Sequence, residues 1–485
     1  MKNSPAPCPP RSGLRPIREG PIVILGAGPT GLGAATLLDR VGFDDWKLFE
    51  RDEAVGGLTR SLRDAEGFTW DLGGHITFSH YGFYTALLDG LLGPSGWIEH
   101  QRESWIRMSS CWVPYPFQNN LHRLPAEERA RCLEGLVRAS QSRTACHPRT
   151  FEEFLVTMFG DGISDLFMRP YNFKVWAYPP SMLDASWVGE RVAVPDLARI
   201  VRNVATDTDD VSWGPNATFR FPRSGGTGAI TQAFAARLPS DRIALNCGAV
   251  ELDVSAKKIR LANGRTEAYE TLISTIPLDQ LALMSGRSDW IELASRLRHT
   301  AVHVVGVGLN GRAPSDLATK CWTYFPEPEI PFYRATHFSL YSPELVDDIA
   351  KHWSILCEVS ESSGKRVDPE TVVDETIQGL TARGLIEGKD QVHHTWWRRV
   401  EYGYPAPTRG RDEVLHELLV RLEQSGILSR GRFGAWRYEV ANQDHSFMQG
   451  YEAAAHALFG FPEITLWEPS VVNTRHPALG WDRFR

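Results

Sequence analysis

Cysteine is scarce and unpatterned: seven residues, at positions 8, 111, 132, 146, 247, 321 and 357, with no CxxC pair and no CxxH spacing. Neither a disulfide framework nor a zinc site is expected from such a set, and no metal is assigned. Long hydrophobic runs are also missing. No apolar stretch approaches the roughly 20 residues of a membrane span, and the opening MKNSPAPCPPRSGLRPIREG has no hydrophobic region of a signal peptide. A cytoplasmic protein with no membrane partner is expected. An excess of positive charge is absent too: 52 basic against 59 acidic residues give a net charge of -7. No global field recruits nucleic acid, so any anion site must be local.

What is present is enough chain for a large core, 485 residues of which 42% are apolar. Residues 1–19, rich in Pro, Arg and Ser, are expected to be a disordered leader. Over 20–80 the order is strand (IVIL, 22–25), helix (LGAATLLDRVG) and strand (WKLFE, ending at Glu50), a βαβ-like opening. From 81 to 210 the pattern is mainly helical, in YTALLDGLL, PAEERARCLEGLVRAS, TFEEFLVTMFG and VPDLARIVRNV. Strand signals return over 211–410, in IALNCGAVELDV, KKIRLANGR, TLISTIP, AVHVVGVGLN and WSILCEVS, and together imply a second, mixed sheet. Residues 411–485 return to the style of the opening. The fold class is α/β: a Rossmann-like domain with an inserted helical domain and a mixed or antiparallel sheet domain.

GAGPTG, Gly26 to Gly31, lies between the first strand and helix, and Glu50 follows Gly31 by nineteen positions. In that context Gly26 makes the tight turn, Gly28 lets backbone approach a pyrophosphate and Gly31 permits close helix packing. The helix N-terminus adds partial positive charge, and Glu50 is placed for a ribose hydroxyl. Both NAD and FAD use this arrangement. Paired glycines further on, Gly56 and Gly57 before Leu58, then Gly73 and Gly74 before His75, favour the longer FAD.

The run WVPYPFQNN, 112–120, spaces aromatic rings with prolines and ends on three side-chain amides. Flat faces beside donors and acceptors suit a planar heterocycle.

These stretches, with GGHITFSHY, DLFMRPYNFKVWA, GERVAVP, WGPNATFRFPRSGGTG, CWTYFPE, PFYRAT, GYPAPT and GRFGAWRYEVANQDHSFM, closely resemble eukaryotic-type UDP-galactopyranose mutase from about Pro21 to Phe447. The resemblance implies a FAD-binding Rossmann domain of the amine-oxidase and glutathione-reductase type, with the site in a cleft between domains. It assigns Tyr115, Phe117 and Gln118 to uracil, Met168, Tyr171 and Asn172 to the nucleoside, and Trp176 to substrate binding. Arg191 and Arg334 become the diphosphate clamp, with Tyr324, Tyr404, Tyr438 and Asn442, while Asn216, Trp322 and Arg432 lie near sugar and diphosphate. His75 sits beside the isoalloxazine, and Asn442, Gln443 and Ser446 close over FAD. Segments 188–196 and 212–218 resemble mobile flaps.

The implied chemistry uses reduced FAD, with NADPH or NADH as reductant: flavin N5 attacks the anomeric carbon of a UDP-sugar, and the ring recloses with no net redox change. His337 departs from the family pattern, and the shorter loop after FSLYSPE leaves monomer and homo-oligomer both open. Three other readings are the same ring contraction on another UDP-hexose, a net amine or porphyrinogen oxidase, and a non-catalytic nucleotide-sugar binder. The arginines and tyrosines of the clamp argue against the oxidase, which has no evident use for them.

Overall fold

The computed structural model describes residues 17, 19–108, 111–142, 148–211, 214 and 217–473. Positions 1–16 and 18 of the expected leader, and 212, 213, 215 and Asn216 of the second flap, lie outside the described residues.

The opening βαβ unit comprises β1 (Ile22–Leu25), α1 (Pro29–Arg40) and β2 (Trp46–Phe49). It sits in a five-stranded parallel sheet ordered Ile427–Ser429, Thr271–Ser274, β1, β2, Ile243–Ala244. Every residue of β1 is buried because its alternate side chains enter two different cores, Ile22 and Ile24 one and Val23 and Leu25 the other. On the first face α1 packs against the long helix Gln443–Phe459.

This sheet corrects one expectation. The IAL and TLIS stretches were grouped with a second sheet, yet both join the first. TLIS is buried at all four positions, as a strand covered on both faces requires. The neighbouring AVELD and KIRL strands pair instead with Thr266–Ala268 in a separate antiparallel meander.

The second large sheet has seven strands, ordered Val392–Pro405, His299–Asn310, His352–Glu361, Arg334–Thr336, Trp322–Tyr324, Ser104–Arg107, Trp112–Pro114. Its last two strands come from within the mainly helical 81–210 stretch. One face, with Val305, Val307, Ala335 and Cys357, packs on helix Val372–Ala382. The register aligns Tyr324 with Arg334 and Arg334 with Glu358 on the opposite face. Helices Ala126–Gln141, Phe151–Ile163, Arg169–Trp176 and Leu197–Thr206 form the lobe beside that face. No helix among the described residues is long and apolar enough to cross a membrane.

Candidate active site

The glycine turn is built by close approach. A Cβ on Gly31 would stand 1.9 Å from the carbonyl oxygen of Gly26, so only glycine lets α1 start this tightly after β1. The second glycine pair lies against the first: Gly56 donates its N–H to Ala27 O at 2.8 Å, and a Cβ on Gly57 would be 3.4 Å from Gly28 Cα. Glu50 is buried, and each of its carboxylate oxygens accepts one backbone N–H, from Ala27 at 2.7 Å and Asp52 at 3.0 Å. Lone pairs remain on both oxygens for hydroxyl donors. Leu58 packs into the adjoining core.

Gly73 and Gly74 carry the chain from the strand Thr69–Asp71 to His75. A Cβ on Gly74 would lie 2.4 Å from Thr336 Oγ1 and 3.3 Å from the guanidinium carbon of Arg334, so this corner rests directly on the second sheet. His75 Nδ1 is buried without a hydrogen-bond partner among the described residues. Burial pushes its pKa down to about 4; Glu358 opposes this, while Arg432 and Arg334 add to it. The imidazole is therefore neutral at pH 7. The segment beyond it is tied to the start of the C-terminal helix, where Asp444 Oδ2 accepts the His80 backbone N–H at 3.2 Å. Asn442, Gln443 and Ser446 stand at that helix start, with Gln443 Nε2 also lacking a partner among the described residues.

Arg334 grips Glu358 at two points, Nη2 to Oε1 at 2.9 Å and Nε to Oε2. Tyr333 Oη donates to the same carboxylate at 3.0 Å and lies 3.3 Å from Tyr404 Oη. Burial alone would raise the Glu358 carboxyl, but Arg334 more than offsets it and holds it below the usual range. Arg432 spends Nε and Nη2 on Gly403 O and Nη1 on Ala441 O, with its guanidinium 4.8 Å from the Tyr404 ring centroid. Arg191 donates from Nη2 to Glu439 O at 2.5 Å and lies 5.5 Å from the Tyr438 centroid, and its Nη1 is buried without a partner among the described residues.

Five half-buried tyrosines, 115, 171, 324, 404 and 438, border the helical-lobe core. Tyr324 meets Tyr115 and Tyr171 edge-on at 5.5 and 5.1 Å. Burial raises the phenols of Tyr115, Tyr171, Tyr324 and Tyr404, keeping them protonated donors. Trp176 is buried beneath, 4.7 Å from Tyr438, and Trp322 and Met168 are likewise buried. Asn172 donates back to Met168 O at 2.8 Å.

The amides of WVPYPFQNN divide. Asn120 donates to Pro114 O, Pro116 O and Asp210 O, and its oxygen accepts Asp210 N–H. Asn119 Nδ2 donates to Asp210 Oδ2 at 3.3 Å, and its backbone carbonyl accepts from Asn203 Nδ2 at 3.0 Å. Both are staples of the fold. Gln118 keeps a buried capacity: Nε2 donates to Ala193 O at 2.5 Å, while buried Oε1 has no partner among the described residues. Phe117 is fully covered and stacked on Phe167 at 4.8 Å, which places it under the site surface.

Glu358 and Tyr333 were missed in the sequence. The signal was available: an acid inside the continuous apolar run ILCEV has to find a cation when that strand is buried.

A family model described as flavin containing amine oxidoreductase matches residues 29–458. A crystal structure of reduced UDP-galactopyranose mutase is 48% identical, superimposes with a TM-score of 0.91 and covers 94% of this chain and 99% of its own. This chain belongs to the flavin containing amine oxidoreductases and is a UDP-galactopyranose mutase-like isomerase. The enzyme shares its fold with two more distant structures. A putative protoporphyrinogen oxidase from Exiguobacterium sp. 255-15 is 17% identical at a TM-score of 0.70, over 90% of this chain and 98% of its own. Putrescine oxidase bound to putrescine is 15% identical at 0.59 over the same shares. Identity this low carries the fold and no activity.

Proposed function

We propose that the enzyme interconverts UDP-galactopyranose and UDP-galactofuranose with no net redox change, in the manner of the eukaryotic-type mutases its motifs resemble, using FAD with NADPH or NADH as reductant. One observation carries the reading: the Gly74–His75 corner rests on the Arg334–Glu358 pair. It joins a nucleotide cradle to a cluster of guanidinium groups and phenols, which a net oxidase does not need.

The residues fit FAD. Gly26, Gly28, Gly31, Gly56, Gly57 and Leu58 leave a backbone-lined approach at the N-terminus of α1 suited to pyrophosphate, and Glu50 retains acceptors for ribose. The orphaned Gln443 Nε2 and His75 Nδ1 offer partners to the ring system, beside Gly73, Asn442 and Ser446. When bound and reduced, the flavin supplies a nucleophilic N5 for displacement of UDP at the anomeric carbon.

The protein's own part is to bind, orient and retain. Tyr115, Gln118, Tyr171 and Asn172 take the nucleoside, with Gln118 Oε1 accepting an imide N–H. Tyr324, Tyr404 and Tyr438 donate to phosphate oxygens. Arg334 is charge-balanced by Glu358, and the Arg432 fork is largely engaged by carbonyls, which leaves Arg191 with the most unspent donors for the departed diphosphate. Segment 188–196 is docked at two points, through Ala193 O and through Arg191.

A panel of UDP-sugars offered to the dithionite-reduced enzyme tests the substrate. UDP-galactofuranose and UDP-galactopyranose are expected to turn over fastest; faster turnover of an N-acetyl or deoxy UDP-hexose contradicts the assignment.

A further inference from the structure

Arg191 is held by a backbone carbonyl, that of Glu439. Glu439 is buried, and its carboxylate is gripped end-on by Arg411, Nη2 to Oε1 at 2.8 Å and Nη1 to Oε2 at 3.0 Å. Arg411 is itself 3% exposed at the start of helix Arg411–Gln424, where Asp412 Oδ1 accepts its Nε–H at 2.9 Å. Arg437 adds a third N–H to Glu439 Oε1 at 3.3 Å. A charge pair this deep is costly unless each partner is fully satisfied, and here the donors and acceptors are matched.

The pair fixes the short turn Tyr438–Val440 from below. Around that turn, Gln449 Nε2 holds Val440 O at 2.7 Å, Arg432 Nη1 holds Ala441 O at 3.1 Å, and Asn473 Nδ2 shares Glu439 O with Arg191 at 3.0 Å. One turn therefore presents the Tyr438 ring and the carbonyl on which Arg191 docks. Neither Arg411 nor Glu439 offers its side chain to the cleft, since each spends its fork on the other.

We propose that Arg411 and Glu439 are positioning residues of the diphosphate clamp: their buried ion pair sets the Glu439 carbonyl and the Tyr438 ring, and thereby the docked position of Arg191 and of segment 188–196. This inference rests on the reading of Arg191 as a diphosphate ligand. A buried two-point pair suits the task because a guanidinium and a carboxylate in this geometry fix direction as well as distance. Rupture shifts the turn rather than removing a substrate contact.

The test is a double-mutant cycle on UDP binding to the flavin-loaded, reduced enzyme, using wild type, Arg191→Ala, Arg411→Met, Glu439→Gln and the combination of Arg191→Ala with Arg411→Met. Arg411→Met is expected to weaken UDP binding about tenfold, the order of loss that a displaced clamp produces. KM should rise more than kcat falls. Glu439→Gln, which keeps one acceptor and the shape, should fall between, and Arg411→Lys should restore part of the loss. In the Arg191→Ala background the Arg411→Met effect should shrink to the part carried by Tyr438, whereas loss of stability alone would leave it unchanged. UDP binding weakened by Arg191→Ala but untouched by Arg411→Met and Glu439→Gln overturns this inference alone, as does a cycle that is additive. Absence of UDP binding by the wild type overturns the functional reading and the inference with it.

Discussion

Glu358 accepts two N–H bonds from Arg334 and an O–H bond from Tyr333, so its carboxylate is already an engaged anion. Its charge cancels that of Arg334 toward any ligand. The pair orients a guanidinium without leaving a bare cation, and Glu358 is unsuited to proton transfer while the pair is intact.

Breaking that pair has a large expected cost. Glu358→Gln or Arg334→Ala leaves one buried charge without its partner, a loss of about 3–5 kcal/mol in stability. Urea denaturation of the variants checks it. A change near the scatter of surface substitutions shows the pair to be solvated.

Asn120 and Gln118 separate folding from binding. Asn120→Ala removes a buried amide that donates to surrounding carbonyls and accepts the Asp210 N–H, and is expected to destabilise the protein by about 2–4 kcal/mol. Gln118→Leu loses the Ala193 dock and the one free acceptor, and is expected to weaken UDP binding by about 1–3 kcal/mol. Thermal melts and UDP titrations of both variants measure the contrast.

Gly31→Ala forces a methyl carbon onto the Gly26 carbonyl oxygen, at 1.9 Å. The turn has to open, and the purified variant is expected to carry little flavin. Its flavin absorbance per protein, compared with wild type, gives the answer.

His337 supplies a signed pH dependence. It is buried just after the strand Arg334–Thr336, its Nε2 is 3.1 Å from Thr323 Oγ1, and burial, with Lys320 adding, pushes its pKa down to about 3. Above an unfolded pKa of about 6.5 neither state carries the proton, so His337 contributes no slope. Between that value and about 3 the unfolded chain binds a proton that the folded protein refuses, so stability falls as pH falls. His337→Gln is expected to flatten the acid limb of stability against pH by up to about 1.4 kcal/mol per pH unit across that window. Parallel curves for variant and wild type contradict the assignment.

The nucleotide-binding half was legible because a glycine turn, a short β-branched strand and an acid at fixed spacing leave few other structures open. Sheet membership was less so. TLIS and AVHVVGVGLN are both apolar runs, and only the partner strand, distant in sequence, decides which sheet each joins. The candidate site divided in the same way. Tyr324 and Arg334 were recognisable as members of long motifs, whereas Glu358 becomes visible only when strand register aligns it with Arg334. WVPYPFQNN misled in part: its amides resemble a recognition edge, but Asn120 spends its amide on the fold, Asn119 turns its Nδ2 to Asp210, and Gln118 keeps a buried open acceptor.

The most direct test of the central claim is the rate of UDP-galactofuranose conversion by one preparation of the flavin-loaded enzyme, oxidised and then reduced with dithionite or NAD(P)H under anaerobic conditions. The account predicts conversion to UDP-galactopyranose only in the reduced state, with no net consumption of reductant per turnover. Equal conversion by the oxidised enzyme, or stoichiometric consumption of reductant, contradicts it.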